Sequence, residues 1–568
     1  MPYKAPVSDY AFLLKHVIGF DKVAATDRFT EATDDVVSAI LTEAGKLCEE
    51  VMVPVQRAGD LHPAALENGV VCTSPGYKEA WAAIAEGGWT GISGDPEYGG
   101  MGLPMTVTTA VNEMMSAACL SLQLALLMTQ GHIKVLEHHA SDEIKELYLP
   151  KLMAGVWTGT MNLTEPQAGS DVGALTSRAE PNDDGSYAIS GQKIYISWGD
   201  HDIADNICHL VLARMPGGMP GTKGISLFLV PKYLPDANGN PGVANTLKIV
   251  SLEHKMGLHG SPTCVMQYDG ANGWLVGPAH GGMAAMFTMM NNARLGVGGQ
   301  GIGVAEGAFQ HAMAYALERK QGRSIHGNSI AAHADVRRML MEMKAEIFAA
   351  RCIALTNAVA VDMQTATEDK DWAARAAFLT PITKAFGTDV GINVANTGIQ
   401  VHGGMGFVEE AGAAQYARDV RVTAIYEGTN GIQAMDLVAR KMMDGGDAAA
   451  QLLDEIGAQA EQARGTHPEL AEAVWQSSET LRETTEWMIS QGDMDNRFAG
   501  AVPYLRAFAR VLGAHFHLMA AVAEPGGPRE TLARFYISRL LPEHTGLVQQ
   551  AQSGADGLYA MSLDDLVS

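Results

Sequence analysis

Apolar residues recur at helical spacing through residues 33–160, mixed with charged positions. In DDVVSAILTEAGKLCEEVM, Val36, Ile40, Ala44 and Leu47 fall on one predicted helical face. The stretch GDPEYGGMGLP, Gly94 to Pro104, interrupts this pattern with turn formers and reads as a loop. From about 160 to 280 the texture changes to short β-rich runs: SYAISGQKIYISWG, ICHLVLARM, KGISLFLVP, NTLKIVSL and TCVMQYDG. The intervals PNDDG, MPGGMPGTKG and PDANGNPG are turns or loops. Consecutive strands without intervening helices predict an antiparallel barrel or sandwich and argue against a doubly wound parallel sheet. Helical patterning returns after Gly281. From Asp335 to Arg351 it places Val336, Leu340, Met343 and Ile347 on one stripe.

The predicted fold is therefore mainly α with a middle β domain. An N-terminal extension (1–34) precedes an N-terminal helical domain (35–160), a middle β domain (161–280) and a second helical domain (281–444). DGGD, Asp444 to Asp447, reads as the linker to a C-terminal helical domain (445–568) whose helical patterns end near Leu558.

Composition narrows the function classes. At about 150 residues per domain, 568 residues make three to four units. A net charge of −24 opposes nucleic acid and anionic membrane as partners, while leaving room for a local basic pocket. The run from Met114 to Ile133 is long enough to span a bilayer, but Ser116, Ser121, Gln123, Thr129, Gln130 and His132 predict a buried helix instead. The six cysteines are scattered without a CxxC pair, which points to a reducing compartment; the chain reads as soluble and cytoplasmic. Thirty methionines, against 14 Phe and 15 Tyr, are unexplained by any of this.

The one GxGxxG, Gly296 to Gly301 in GVGGQG, follows MAAMFTMMNNAR, which is helical in character. A dinucleotide fingerprint needs a strand before it, so close helix packing through glycine is the better reading. DANGN, Asp236 to Asn240, starts like a calcium loop, but Pro241 and Leu247 stand where that loop needs Gly and Glu; it is a turn. Two segments point to chemistry. MNLTEPQAGSDVG gathers Thr164, Glu165, Ser170 and Asp171 around turn formers, where hydroxyls and free N–H groups can meet a polar ligand. In RDVRVTAIYEGTNGIQ, Glu427 stands just before a helix that Thr429 can cap. Water exclusion there would raise its pKa and make it a stronger base.

Taken together, these segments resemble the acyl-CoA dehydrogenase family. TEPQAGSDVG is similar to its TEPxAGSD loop, YISWG to its flavin-stacking segment and ALERKQGR to its LERxxFG turn. GIQVHGGMGF is similar to its QxxGGxG loop and IYEGTNGIQ to its YEGT segment. The motifs keep the family's order over about 160–440, and the C-terminal unit resembles a larger bacterial subgroup. The resemblance implies FAD as cofactor and α,β-dehydrogenation of an acyl-CoA thioester to the trans-2-enoyl-CoA. Glu427 would remove the α-proton while the β-hydride passes to the flavin. The backbone of Glu427 and Gly428 would meet the thioester, and Ser170, Arg294 and Arg440 would approach the CoA part. Thr164 and Ser197 would contact the flavin ring, with Tyr195 against its face. Arg319, Gln400, Gly403, Gly404 and Thr429 would hold the ADP and phosphate end across a homodimer or higher homo-oligomer. Ser170 serves either ligand.

The substrate implied is a short-chain acyl-CoA, specifically 3-(methylthio)propanoyl-CoA, with a short- or medium-chain fatty acyl-CoA as the alternative. Electron-transferring flavoprotein is the implied acceptor; an oxidase giving its electrons to oxygen shares these motifs. A flavin-binding, non-catalytic nucleic-acid protein would need a basic C-terminal unit, and acids there are at least as numerous as bases. Two departures stand out: ERKQGR lacks the aromatic of LERxxFG, and Gly431 replaces a glutamine common after YEGT. Some members carry the base just before the arginine matching Arg294; Ala293 occupies that position here, which favours Glu427. The Met283–Met290 segment reads as core filling, with a thioether-tolerant acyl pocket as the sharper alternative.

Overall fold

The computed structural model describes residues 3–568. The chain divides into two compact units. One comprises Met1–Leu41, Met105–Glu113 and Arg294–Ser568; the other comprises Thr42–Pro104 and Met114–Ala293.

The second unit is built on a seven-stranded sheet. Its strands are β1 (Trp157–Asn162), β2 (Arg178–Pro181), β3 (Tyr187–Ser197), β4 (Asn206–Arg214), β5 (Ile225–Pro231), β6 (Leu247–Leu252) and β7 (Thr263–Val276). The order along the sheet is β6-β7-β3-β2-β4-β1, and β5 pairs with both β7 and β4, which closes β7, β3, β2, β4 and β5 into a ring. The barrel expectation holds with one correction: β1 and β2 each run parallel to β4. The sheet buries Ile189, Ile196, Val211, Phe228, Val230, Met266 and Tyr268 together. Each large apolar side chain so buried contributes about 1.5–3 kcal/mol. Asp236–Asn240 is a turn as predicted, with Asp236 Oδ1 accepting from the N–H groups of Asn238 and Asn240. A hairpin of Ala65–Glu67 with Val70–Cys72, which the helical reading of 33–160 overlooked, also belongs to this unit.

Helix α1 (Val7–His16) lies in the N-terminal extension, where no helix was expected. Helix α2 (Asp34–Leu47) corrects its predicted face. Val37, Leu41, Ala44 and Cys48 are buried, whereas Val36 is exposed, so the buried stripe is rotated and shares only Ala44 with the expected one. Helix α3 (Met105–His139) contains the long apolar run; it breaks its helical geometry at Cys119, and its most apolar window is entirely buried within protein. Among the described residues no other helix is long and apolar enough to cross a membrane.

Helices α4 (Gly282–Glu318), α5 (Ala334–Thr367) and α6 (Lys370–His402) carry the second helical segment, followed by α7 (Asn430–Ala439). On α5, Leu340, Met343 and Ile347 are buried as predicted, and Val336 is half-buried. Helix α4 contains GVGGQG in its interior. A Cβ on Gly298 would stand 2.7 Å from the carbonyl of Thr383, and one on Gly301 would stand 2.4 Å from that of Gly387. The glycines let α4 and α6 cross at backbone contact, as the packing reading predicts. Beyond Gly446, helices α8 (Asp447–Ala463), α9 (Pro468–Ser490), α10 (Met494–Ala523), α11 (Pro528–Arg539) and α12 (Glu543–Gln552) form the C-terminal helices, and a last short helix spans Leu563–Val567. Buried ion pairs tie this first unit together: Arg351 of α5 meets Glu113 at 2.7 Å and Glu306 of α4 at 2.8 Å.

Candidate active site

The turn that carries Glu427 lies in the first unit. The N–H groups of Ile425 and Tyr426 both donate to the carbonyl of Val422, which tightens the chain ahead of it. Glu427 and Gly428 then adopt positive φ values of 57° and 83°. Two successive left-handed residues reverse the chain, an arrangement that costs a non-glycine residue about 1 kcal/mol. The chain then enters α7, where Thr429 caps the helix by accepting from the N–H of Ile432 at 3.3 Å. Gln433, fully buried on α7, donates to the carbonyls of Glu427 (3.1 Å) and Gly428 (3.4 Å). A Cβ on Gly428 would come within 2.8 Å of that amide and displace it, and the φ of 83° itself favours glycine. The Tyr426 hydroxyl donates to Gln300 Oε1 on α4.

Burial pushes the Glu427 carboxyl up to about 7, against the opposing pull of Arg294 and Lys384. A carboxylate there is poised as a general base near neutral pH. Arg294 is buried and lies 3.6 Å from Asp436, whose other oxygen is 2.5 Å from the exposed Arg440. The Asp436 charge is thus paired with both arginines, and Arg440 is exposed.

Arg319, Gln400, Gly403 and Gly404 collect where α4 and α6 end. His402 at the end of α6 stacks on His311 (4.7 Å) and on Tyr315 (4.5 Å) of α4. Arg319 and Gln400 are exposed. Gly403 has φ 59°, and no atom lies within 4 Å of a Cβ placed on it or on Gly404. The backbone of both glycines is exposed and open to approach. Ile325 and Phe407, 96% and 93% exposed, carry large apolar surface to solvent.

In the second unit, the TEPQAGSDVG loop leaves β1 and is pinned by Glu165. Its carboxylate is 2.8 Å from Lys193 of β3, which is fully buried. It also accepts from the N–H and hydroxyl groups of Thr176 and Ser177. Burial alone would raise this carboxyl, but Lys193 and the surrounding donors hold it at about 2. The loop joins the sheet through the Ile194 N–H, which donates to the Thr164 carbonyl at 2.9 Å. There β3 carries one extra residue against β7, between the pairs Lys193–Met266 and Ile196–Cys264. Tyr195 occupies this bulge with φ 59° and is 62% exposed. Ser197 pairs with Thr263 beside it, and buried Trp198 anchors the strand end by donating to the Ser121 carbonyl at 3.1 Å. Ser170 is exposed at the loop tip.

The predicted residues therefore fall into two sets. Thr164, Ser170, Tyr195 and Ser197 belong to the second unit; Arg294, Arg319, Gln400, Gly403, Gly404, Glu427, Gly428, Thr429 and Arg440 belong to the first. Sequence reasoning missed Lys193, Lys384 and Gln433, which shape these segments from buried positions. Only the polarity of the loop and its Glu165 hinted that a buried cation was required. Met286 and Met289 are fully buried, and Met289 packs beneath Gly131 of α3. Among the described residues no cluster of His, Cys, Asp and Glu is arranged to hold a metal ion.

A positive-φ turn carrying a carboxyl raised by burial thus lies on a helical domain, and a separate β domain displays an exposed aromatic, in a chain of helical, β and helical build. Comparison with known proteins gives the family. Successive segments match the acyl-CoA dehydrogenase N-terminal domain (38–156), middle domain (160–271) and C-terminal domain (280–443). Residues 452–562 match the acetyl-CoA dehydrogenase C-terminal-like domain. The chain is 40% identical to 3-methylmercaptopropionyl-CoA dehydrogenase of Ruegeria pomeroyi, over 99% of this chain and 100% of that protein. It is 35% identical to a butyryl-CoA dehydrogenase of Syntrophomonas wolfei, over 80% of this chain and 78% of that one. Among solved structures, Caenorhabditis elegans ACDH-11 in complex with C11-CoA shares the fold, with a TM-score of 0.79 at 20% identity over 94% of this chain and 91% of that one. The chain belongs to the acyl-CoA dehydrogenase family.

Proposed function

We propose that this enzyme dehydrogenates 3-(methylthio)propanoyl-CoA, or a short-chain acyl-CoA closely like it, at the α,β bond. The observation that carries the reading is Glu427: a carboxyl raised to about 7 by burial, in a turn of fixed geometry. Full-length similarity to the Ruegeria enzyme supports the thioether substrate. FAD is the cofactor this family membership implies, and when bound it supplies the acceptor for the β-hydride. The residues present suit it: Gly403 and Gly404 leave exposed backbone that a ligand can approach, and Tyr195 is largely exposed. Thr164 and Ser197 would hold the flavin ring beside Tyr195, while Arg319, Gln400, Gly403, Gly404 and Thr429 would hold the ADP and phosphate end. Ser170 would contact the CoA moiety or the flavin phosphates.

Glu427 takes the α-proton of the thioester onto its carboxylate. The backbone N–H of Glu427 donates to the thioester carbonyl and stabilises the enolate as charge develops. Gly428 lets the chain approach the acyl group without a side chain in the way. Arg294 and Arg440 supply local positive charge toward the anionic CoA, in a chain whose net charge is −24. The exposed Ile325 and Phe407 beside the ADP-end residues support a homodimer that completes this site. Electron-transferring flavoprotein is the proposed acceptor, and the cytoplasm, in keeping with six free thiols, the proposed compartment.

The test is an anaerobic titration of the flavin band with a panel of acyl-CoAs that includes the methylthio substrate. Glu427→Gln abolishes bleaching while FAD stays bound; full turnover in that variant overturns the reading. Stoichiometric hydrogen peroxide in aerobic turnover would replace the flavoprotein acceptor with oxygen.

A further inference from the structure

Lys384 sits in the interior of α6 and is fully buried. Lysine is almost never fully buried unless its charge is compensated, so its surroundings carry information. Its ammonium donates to Asn430 Oδ1 at 2.9 Å, and Asn430 is the first residue of α7, three positions after Glu427. The orientation of that amide is fixed from its other end. Asn430 Nδ2 donates to Asp389 Oδ1 at 2.8 Å, to Thr388 Oγ1 at 3.0 Å and to the Ala385 carbonyl at 3.3 Å. Helix α6 thus grips the residue that follows the Glu427 turn on both sides, with a cation on the carbonyl oxygen and acceptors on the amide nitrogen.

We propose that Lys384 is a positioning residue for Glu427: it fixes the base-bearing turn through Asn430 and supplies the buried positive charge that favours the Glu427 carboxylate. This rests on the reading of Glu427 as the base. A neutral side chain of similar length would fill the same space, but it would leave Asn430 Oδ1 without its charged donor and Glu427 with Arg294 as its remaining nearby cation. Arg294 is already shared with Asp436 at 3.6 Å, so its field is partly spent there. The other charged groups in this region are accounted for. Asp389 faces Lys384 and also interacts with Arg421 and Arg506, while Arg440 and Lys441 surround Asp436. The Tyr426 phenol beside Glu427 is held protonated by burial. Burial lowers Lys384 to about 8, while Glu427 and Asp389 pull it upward.

The experiment measures anaerobic flavin reduction against pH in the FAD-loaded enzyme, for wild type, Lys384→Gln, Lys384→Arg, Asn430→Ala and Glu427→Gln. Lys384→Gln keeps a hydrogen-bond donor and removes the charge, so its acid limb moves to higher pH by about one unit or more. Lys384→Arg restores the wild-type limb. Asn430→Ala lowers the plateau rate at least threefold and moves the limb less than Lys384→Gln does. A merely structural lysine would change FAD content or stability and leave the limb in place. Lys384→Gln with an unchanged limb and plateau overturns the proposal. Where Lys384→Gln does not accumulate as holoenzyme, an unchanged plateau in Asn430→Ala overturns it instead. If Glu427→Gln retains turnover, the base assignment itself falls. If Glu427→Gln is inactive and Lys384→Gln behaves as wild type, only the role of Lys384 falls.

Discussion

The side-chain amide of Gln433 donates to the backbone carbonyl of Glu427 at 3.1 Å, from a fully buried position one turn into the helix that follows. Glu427 occupies a left-handed conformation that a glutamate adopts only when neighbours over-determine it. By holding the carbonyl, Gln433 fixes the peptide plane and with it the direction in which the carboxylate leaves the chain. A Cβ on Gly428 next to it would come within 2.8 Å of that same amide and push it off the carbonyl.

Removing this clamp therefore weakens catalysis more than cofactor retention. Gln433→Ala is expected to slow flavin reduction by acyl-CoA about tenfold, which corresponds to about 1.4 kcal/mol of barrier. FAD content after gel filtration stays at the wild-type level, because Gln433 lies outside the proposed flavin contacts. Stopped-flow reduction at saturating substrate gives the rate; an unchanged rate removes the clamp from the mechanism.

Glu427 acts as a base only when ionised, and burial raises its carboxyl to about 7. Activity in kcat/KM should accordingly rise with pH along an acid limb centred near 7, far above the ordinary 4.5 of a glutamate. A profile flat from pH 5 to 8 contradicts this desolvation.

The features legible in the sequence were those with a local signature. The helical character of MAAMFTMMNNAR correctly turned GVGGQG from a nucleotide motif into a helix crossing, because context decides what glycines are for. The turn at Asp236–Asn240 and the cap at Thr429 also follow from short-range chemistry. The face of α2 was placed wrongly because Ala44 belongs to both candidate stripes, and local periodicity could not choose between Val36 and Val37. Lys193 and Lys384 were illegible for another reason. A lysine in a strand or a helix reads as solvated, and only chain-distant partners, Glu165 and Asn430, reveal that each is sealed in the interior.

The pair of Glu165 with Lys193 makes a prediction about stability and pH. Glu165 is held at about 2 in the folded chain, below the ordinary 4.5 of a glutamate, so its stabilising contribution is fully present above about pH 4.5 and fades as pH falls toward 2. Lys193→Met leaves that carboxylate buried without its cation and should destabilise the protein by about 3–5 kcal/mol at neutral pH. The gap between variant and wild type narrows as pH falls, because wild type loses this contribution below about pH 4.5 while the variant's buried carboxyl, without its cation, has already taken up its proton. Thermal unfolding followed from pH 3 to 7 reads both effects, and a constant gap across that range contradicts the pairing.

The glycines of α4 supply a test with its own internal control. Gly298 and Gly301 touch the backbone of α6, where an added Cβ would come within 2.7 and 2.4 Å of carbonyl oxygens that cannot step aside. Gly299, between them, has no atom within 4 Å of an added Cβ. Alanine at 298 or 301 must push the two helices apart and should destabilise by about 1–3 kcal/mol, as overpacking of a tight contact does. Alanine at 299 meets no obstacle and replaces the poorest non-proline helix former by the best, so it should stabilise by up to about 1 kcal/mol. If the three glycines cradled a phosphate instead, all three alanine variants would lose FAD in proportion to one another. Opposite signs in melting temperature, with FAD content unchanged at 299, are the result that helix packing requires.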